Sequence, residues 1–230
     1  MNGLLFLSWT VIGLFGLTFS YKLFGKDGLI AVIASSVVMM NILVNKSILI
    51  FGIGATSGNV YYSMVFLATD ILSENYGGKE ARKSVMIGFF ISILAMLSSW
   101  VALAMKPAPW DMAHDALSII LSPMFRVVVG SMVAFFVSNM LDTYIYQWLR
   151  KKYPKHLWLR NNGSTWTSQF VDSILFASIA LLGTMPIEAW IQVVISTYVL
   201  KVVIAIIDTP FLYMVAKKNT KEIVDEHQEN

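Results

Sequence analysis

Two short segments of similar pattern each place a carboxylate inside an apolar stretch. Residues 138–143 read SNMLDT and residues 168–173 read SQFVDS, so both run serine, amide, two apolar residues, acid and small hydroxyl. Residues three apart share a face of a helix, so each segment would present an amide and a carboxylate together. A six-residue match is compatible with an ancestral duplication and also with chance. The two amide and acid pairs are Asn139 with Asp142 and Gln169 with Asp172.

These side chains are suited to reading a flat heterocycle. An amide offers a donor and an acceptor side by side, and a carboxylate offers two acceptors. Together they match a ring edge that carries both N–H and C=O groups, as guanine-like rings do, while an aromatic side chain stacks on the ring face. Ordinary helix packing competes as the explanation for every aromatic candidate. These candidates are Tyr144, Trp166, Phe170 and Tyr198.

Other ionisable residues also lie in apolar segments. Each such group costs about 2.5 to 3.5 kcal/mol at the centre of a membrane helix. A buried ion pair between Lys201 and one aspartate would neutralise one acid, but one lysine cannot neutralise four aspartates. We therefore expect the remaining acids to line a polar cavity or to titrate. The deep residues are Asp70, Asp142, Asp172, Lys201 and Asp208, with Glu74 and Arg126 nearer segment ends.

The elements that carry these residues are predicted to be membrane helices. Of the 230 residues, 57% are hydrophobic and 13% are charged, and the mean hydropathy is +0.66. Apolar segments long enough to cross a hydrocarbon core of about 30 Å recur along the chain, which predicts an all-α polytopic membrane helix bundle. Residues 46–58 are apolar, glycine-punctuated and too short to cross, so we expect a re-entrant turn or a short helix at the outer surface. The seven predicted spans are 3–21, 28–45, 59–76, 84–105, 122–149, 165–184 and 188–216.

Basic residues predict the orientation. The net charge is +3, and most of the 17 lysines and arginines fall in alternate loops, on one side of the predicted bundle. The positive-inside rule places this side in the cytoplasm, with the N-terminus outside and the C-terminus inside. The charge excess is then a topology signal, and no nucleic acid is expected as a partner. The basic loops contain Lys22 and Lys26; Lys79, Arg82 and Lys83; Arg150, Lys151, Lys152, Lys155 and Arg160; and Lys217, Lys218 and Lys221.

Several chemical classes find no support in the composition. There are no cysteines, which excludes disulfides and thiol catalysis, and the three histidines fall in predicted loops or the tail, so we expect no metal or other cofactor. An intramembrane enzyme could use paired aspartates as acid and base. The chain lacks a glycine-rich aspartyl protease motif and a serine nucleophile elbow, so we expect no enzyme. A purely structural membrane protein would leave the embedded carboxylates unexplained.

Four segments together carry a family resemblance. They read FLATDILSENYG with EARKS, SNMLD, KHLWLRNNGST leading into SQFVDS, and STYVLKVVIAIIDTPF. With these segments the chain resembles the queuosine precursor transporter family, also called the vitamin uptake transporter family, from about residue 28 to the end. The resemblance implies a six-helix core similar to the substrate-binding components of energy-coupling-factor transporters, with an extra N-terminal helix. It thus implies one transmembrane domain over 1–230, divided into an extra helix at 1–27, a core at 28–217 and a cytoplasmic tail at 218–230.

The resemblance also implies a function. It points to a multi-pass protein of the cell (inner) membrane that imports a 7-deazaguanine base: 7-cyano-7-deazaguanine, 7-aminomethyl-7-deazaguanine or queuine. The alternative is a substrate-binding component that needs a separate energising module. The preferred base, the energy coupling and homodimer formation stay open. The substrate-binding residues that it implies are Asp70, Asn139, Asp142, Gln169, Asp172 and Lys201. From the residues themselves, Trp166 and Tyr198 are added for stacking, and Glu74 and Asp208 are candidates for coupling or gating.

Overall fold

The protein is mostly helical. The structure, a computed structural model, describes residues 1–153 and 157–215, without the side chains of 73–74, 143, 146–147, 150, 157–162 and 204–215. Seven α-helices, one β-hairpin and one 3-10 turn follow in order. They are α1 (Asn2–Leu43), β1 (Ser47–Ile50), β2 (Ile53–Thr56), the 3-10 turn (Ser57–Tyr61), α2 (Tyr62–Tyr76), α3 (Gly78–Ala104), α4 (His114–Leu121), α5 (Met124–Lys152), α6 (Leu157–Ala180) and α7 (Ile187–Val215).

Helix α1 is two arms that fold back on each other. A straight helix of 42 residues would be about 63 Å long. However, the Asn2 side-chain amide donates to the Leu49 carbonyl at 3.0 Å, so both ends of α1 lie near the hairpin. The chain reverses at Gly25, whose φ of 58° and ψ of −136° suit glycine alone. The arms on either side of Gly25 correspond to the predicted segments 3–21 and 28–45.

Residues 46–58 differ from the expectation of a re-entrant turn or short helix. They form an antiparallel β-hairpin that continues into the 3-10 turn, so the all-α prediction is wrong at this point. Phe51 and Gly52 at the tip have φ of 50° and 84°, as a two-residue hairpin turn of the primed type requires. Gly52 therefore forms part of the turn that joins the two strands.

Side chains from two helices satisfy the edges of this hairpin. On β1 the Leu49 carbonyl accepts from Asn2. On β2 the Gly54 N–H donates to Gln192 Oε1 at 3.3 Å, and the Gly54 carbonyl accepts from Ser196 Oγ at 2.5 Å. An unpaired strand edge inside a bilayer would leave backbone groups without partners, at high cost. The hairpin is tolerated here because α1 and α7 supply those partners.

Three further features of the helices differ from the prediction. Helix α6 begins at Leu157, not near residue 165, and Gly163 lies within it, where an added Cβ would be 3.1 Å from Leu149 Cδ1 of α5. The connection after α3 contains a short helix, α4, where a loop was expected. The third predicted span, 59–76, is divided between the 3-10 turn and α2.

Buried apolar side chains form two main clusters. One joins both arms of α1 to α2, through residues such as Leu14, Leu29 and Leu67. The other joins α5, α6 and α7, through residues such as Val127 and Phe176. The candidate site lies between these two packed units, where α7 contacts both α6 and α2.

Three helical stretches of the described residues are long and apolar enough to cross a membrane: Asn2–Leu43, Gly78–Ala104 and His114–Asp142.

The connections between helices lie at two ends of the molecule. Lys26 pairs with Glu80 at 3.1 Å, which brings the reversal at Gly25 to the start of α3. At the other end, the Asn45 amide donates to the Ile120 carbonyl at 3.2 Å.

Candidate functional site

The two similar segments face each other across an antiparallel helix pair. Ser138 of α5 donates to Asp172 Oδ1 of α6 at 3.2 Å, and Ser168 of α6 donates to Asp142 Oδ1 of α5 at 3.1 Å. Each serine thus bonds the acid of the other segment, so the contact has an approximate two-fold symmetry. The spacing of four residues between serine and acid places them on one face, one turn apart, in both helices.

The symmetry extends to the backbone. The Ser138 hydroxyl lies 3.1 Å from the Phe135 carbonyl, and the Ser168 hydroxyl lies 3.0 Å from the Thr165 carbonyl. A hydroxyl carries one hydrogen, which it shares between the carbonyl three residues earlier and the facing carboxylate. Both serines are buried, so these bonds lie within the helix interface.

A third helix supplies an ion-pair partner for one of the two acids. Lys201 of α7 forms an ion pair with Asp172 Oδ2, and the side-chain exposures are 1% for the lysine and 15% for the aspartate. The Lys201 ammonium also lies 4.5 Å from the centroid of the Tyr62 ring on α2, within cation–π range. Lys201 therefore connects α7, α6 and α2 at one point.

A second buried polar group lies one turn along α7 from this lysine. The Asn59 amide donates to Thr197 Oγ1 at 3.1 Å, and Asn59 Oδ1 accepts from Thr56 at 3.2 Å. Asn59 and Thr197 precede Tyr62 and Lys201 by three and four residues, so each pair shares a helix face. Buried, hydrogen-bonded polar side chains therefore lie about one helical turn from Tyr62 and from Lys201.

Among the predicted residues, Asp142 and Asp172 both lie in the α5–α6 contact, and Lys201 pairs with Asp172. Tyr198 lies close by on α7, where its ring meets that of Phe170 edge-on with centroids 5.3 Å apart. Phe170 is 46% exposed, so this aromatic pair is open on one side.

The other predicted residues lie farther out or outside the described side chains. Asn139 and Gln169 are half-buried on α5 and α6, whereas Trp166 on α6 is 37% exposed and Asp70 on α2 is exposed. The side chains of Glu74 and Asp208 lie outside the described residues. Arg126, predicted near a span end, binds the Ile179 and Leu182 carbonyls at 3.1 and 2.9 Å and so caps α6. Within the described residues no three side chains are grouped to hold a metal ion.

Sequence reasoning missed Tyr62, Asn59, Thr197 and the serines as site residues. The serines had a signal, since each occupies the first position of the repeated pattern. Tyr62 had none, because its contact to Lys201 joins residues 139 positions apart through the tertiary fold.

Comparison with known proteins gives a consistent result. Residues 56–215 match the family described as "Putative vitamin uptake transporter". A protein of Bacillus subtilis (strain 168), named "Probable queuosine precursor transporter", is 41% identical over 199 residues, which cover 86% of this chain and 87% of the relative. The "Queuosine precursor transporter" of Escherichia coli (strain K12) is 26% identical over 178 residues, 73% of this chain and 75% of the relative. No solved structure matches significantly.

Proposed function

The chain belongs to the vitamin uptake transporter family, and from this premise we propose that it imports a queuosine precursor across the cell membrane. The family transports and is not a family of enzymes. The names of the relatives from B. subtilis and E. coli support a queuosine precursor as the substrate. The substrate class is a 7-deazaguanine base: 7-cyano-7-deazaguanine, 7-aminomethyl-7-deazaguanine or queuine.

The proposed site lies at the α5–α6 contact beside α7. The observation that carries it is the reciprocal pair of bonds from Ser138 to Asp172 and from Ser168 to Asp142, which places both acids in the α5–α6 contact, about one helical turn apart. A carboxylate accepts from a ring N–H and an exocyclic amine, and the amides Asn139 and Gln169 can pair with a carbonyl. The edge-on rings of Phe170 and Tyr198 would stack on the base.

The proposed topology has seven crossings, with the N-terminus outside and the C-terminus in the cytoplasm. The Lys26–Glu80 pair supports it, because it joins the first two basic connections at the same end of the bundle. The six crossings after Gly25 would form the transporter core, and the arm before it would be an addition.

Uptake of labelled 7-deazaguanine by cells without their own importer tests the function. We expect Asp142→Asn and Asp172→Asn each to lower uptake about tenfold or more, the size expected when a charged hydrogen-bond partner is lost. Asp115→Asn, at an exposed acid of α4, is the matched control and should retain uptake. Normal uptake by both site variants would discard the proposed site, and no uptake by the unchanged protein would discard the substrate class.

The competing hypothesis is a binding component that needs an energising module. Purified protein reconstituted alone into liposomes discriminates between the two. A solitary carrier moves labelled base into the vesicles, whereas a dependent component binds the base without moving it.

A further inference from the structure

The two matched acids have different surroundings, and from this we infer a division of roles that rests on the proposed function. Asp172 is the structural partner of Lys201, and Asp142 is the carboxylate that accepts the N–H edge of the substrate. The specificity-determining residue is then Asp142, and its ligand is a base with a ring N–H beside an exocyclic amine.

The argument begins from the symmetry. Both acids accept one hydrogen bond from a buried serine of the facing helix, at 3.1 and 3.2 Å. The serines therefore do not distinguish the acids. The difference comes from α7, whose Lys201 pairs with Asp172.

That pairing occupies Asp172. Its Oδ1 accepts from Ser138 and its Oδ2 accepts from Lys201, so both oxygens already have donors. A substrate would compete at this acid with the charge of a lysine that is 1% exposed and lies over the Tyr62 ring. Displacement would leave the ammonium buried without its counter-charge, which is strongly unfavourable.

Asp142 has no such ion pair among the described side chains. Among the side chains that the structure describes, the ion pairs are Lys26–Glu80 and Lys201–Asp172, and neither includes Asp142. Asp142 is half-buried on α5 and Ser168 donates to its Oδ1. It also lies four residues, or about 6 Å along the helix, nearer than Ser138 to the α5–α6 connection. An acid in this position favours a ligand that supplies N–H donors.

A 2-amino-4-oxo ring meets this requirement. Its ring N–H and its exocyclic amine point the same way and can reach both oxygens of one carboxylate. Asn139, three residues before Asp142 on the same face, can pair with the ring carbonyl. A ring without the exocyclic amine loses one of the two bonds, so the site should prefer 7-deazaguanine over 7-deazahypoxanthine by about tenfold.

Binding titrations of purified full-length protein with these two bases test the inference. Asp142→Asn should weaken binding of 7-deazaguanine by about tenfold or more and abolish the preference for it, because the amide accepts through one oxygen only. The double variant Asp172→Asn/Lys201→Gln removes two opposite charges together and should keep the preference. Ser168→Ala should reduce the preference, whereas its matched variant Ser138→Ala should not.

These titrations distinguish failure of the Asp142 assignment from failure of the proposed function. A preference lost in the double variant and kept in Asp142→Asn would overturn the assignment. If Asp142→Asn is not recovered as folded protein, Ser168→Ala decides, and a preference equal in Ser168→Ala and Ser138→Ala overturns it. Failure of the unchanged protein to bind either base would instead refute the proposed function, and the role of Asp142 with it.

Discussion

The ammonium group of Lys201 lies 4.5 Å from the centre of the Tyr62 ring while it pairs with Asp172. This contact joins the helix pair α5–α6 to the separate unit formed by α1 and α2. An aromatic face and a carboxylate on two sides hold the lysine in one position. The following predictions test what this and other contacts contribute.

The Tyr62 side chain should stabilise the lysine. Tyr62→Phe keeps a ring over the ammonium, whereas Tyr62→Leu keeps only apolar volume. We expect Tyr62→Leu to cost about 1 to 2 kcal/mol in the free energy of unfolding and Tyr62→Phe to cost less. Thermal unfolding in detergent measures both, and equal melting temperatures for the two variants would contradict the cation–π contribution.

Removal of the Lys201 charge alone should destabilise the protein strongly. Lys201→Met leaves Asp172 without its cation, at an expected cost of about 3 to 5 kcal/mol. The double variant Lys201→Met/Asp172→Asn removes both charges and should unfold at a higher temperature than either single variant. Additive losses in this cycle would show that the two side chains do not stabilise each other.

Gly25 should be intolerant of a side chain for conformational reasons. Its nearest contact for an added Cβ is Tyr76 at 3.9 Å, so space is available, but its φ of 58° with ψ of −136° is unfavourable for alanine. We expect Gly25→Ala to cost about 1 to 3 kcal/mol. Gly16→Ala is the matched control, because Gly16 lies in the first arm of α1 and an added Cβ there would have no contact within 4 Å. This variant should be neutral or stabilising. Equal melting temperatures for the two variants would exclude a strained reversal.

The hairpin edge should depend on α7. Gln192→Ala/Ser196→Ala removes the partners of both Gly54 backbone groups, and we expect a loss of about 1 to 3 kcal/mol. Ile195→Ala, at a side chain 54% exposed on the same helix, is the control. Melting temperatures give the comparison, and a loss no larger than that of Ile195→Ala would mean that water or lipid headgroups replace the missing partners.

Local pattern predicted the helices that carry the acids, because apolar length and the repeat of serine, amide and acid are visible in the chain itself. It did not predict which of the four aspartates would pair with Lys201, because that depends on the orientation of each helix about its own axis in the bundle. An ion pair between Lys201 and one aspartate was among the expectations, and the structure contains it with Asp172.

The hairpin failed as a prediction for a related reason. Residues 47–56 read SILIFGIGAT, within an apolar, glycine-punctuated segment too short to cross, which predicted a re-entrant turn or a short helix. The side-chain partners of the strand edges, Asn2 and Gln192, are distant in the chain and carry no local signal. The predicted span 165–184 covers only the apolar part of α6, whose first turns include the polar sequence RNNGS at 160–164.

The reversal at Gly25 also bears on which flank of the molecule is accessible. The first arm of α1 lies against α2, with Leu14 and Leu17 completely enclosed and Met64 in contact with Gly13. Another subunit could therefore not reach this face of α2. Trimming this arm would uncover a strip of leucine and methionine that lipid tails would then have to solvate.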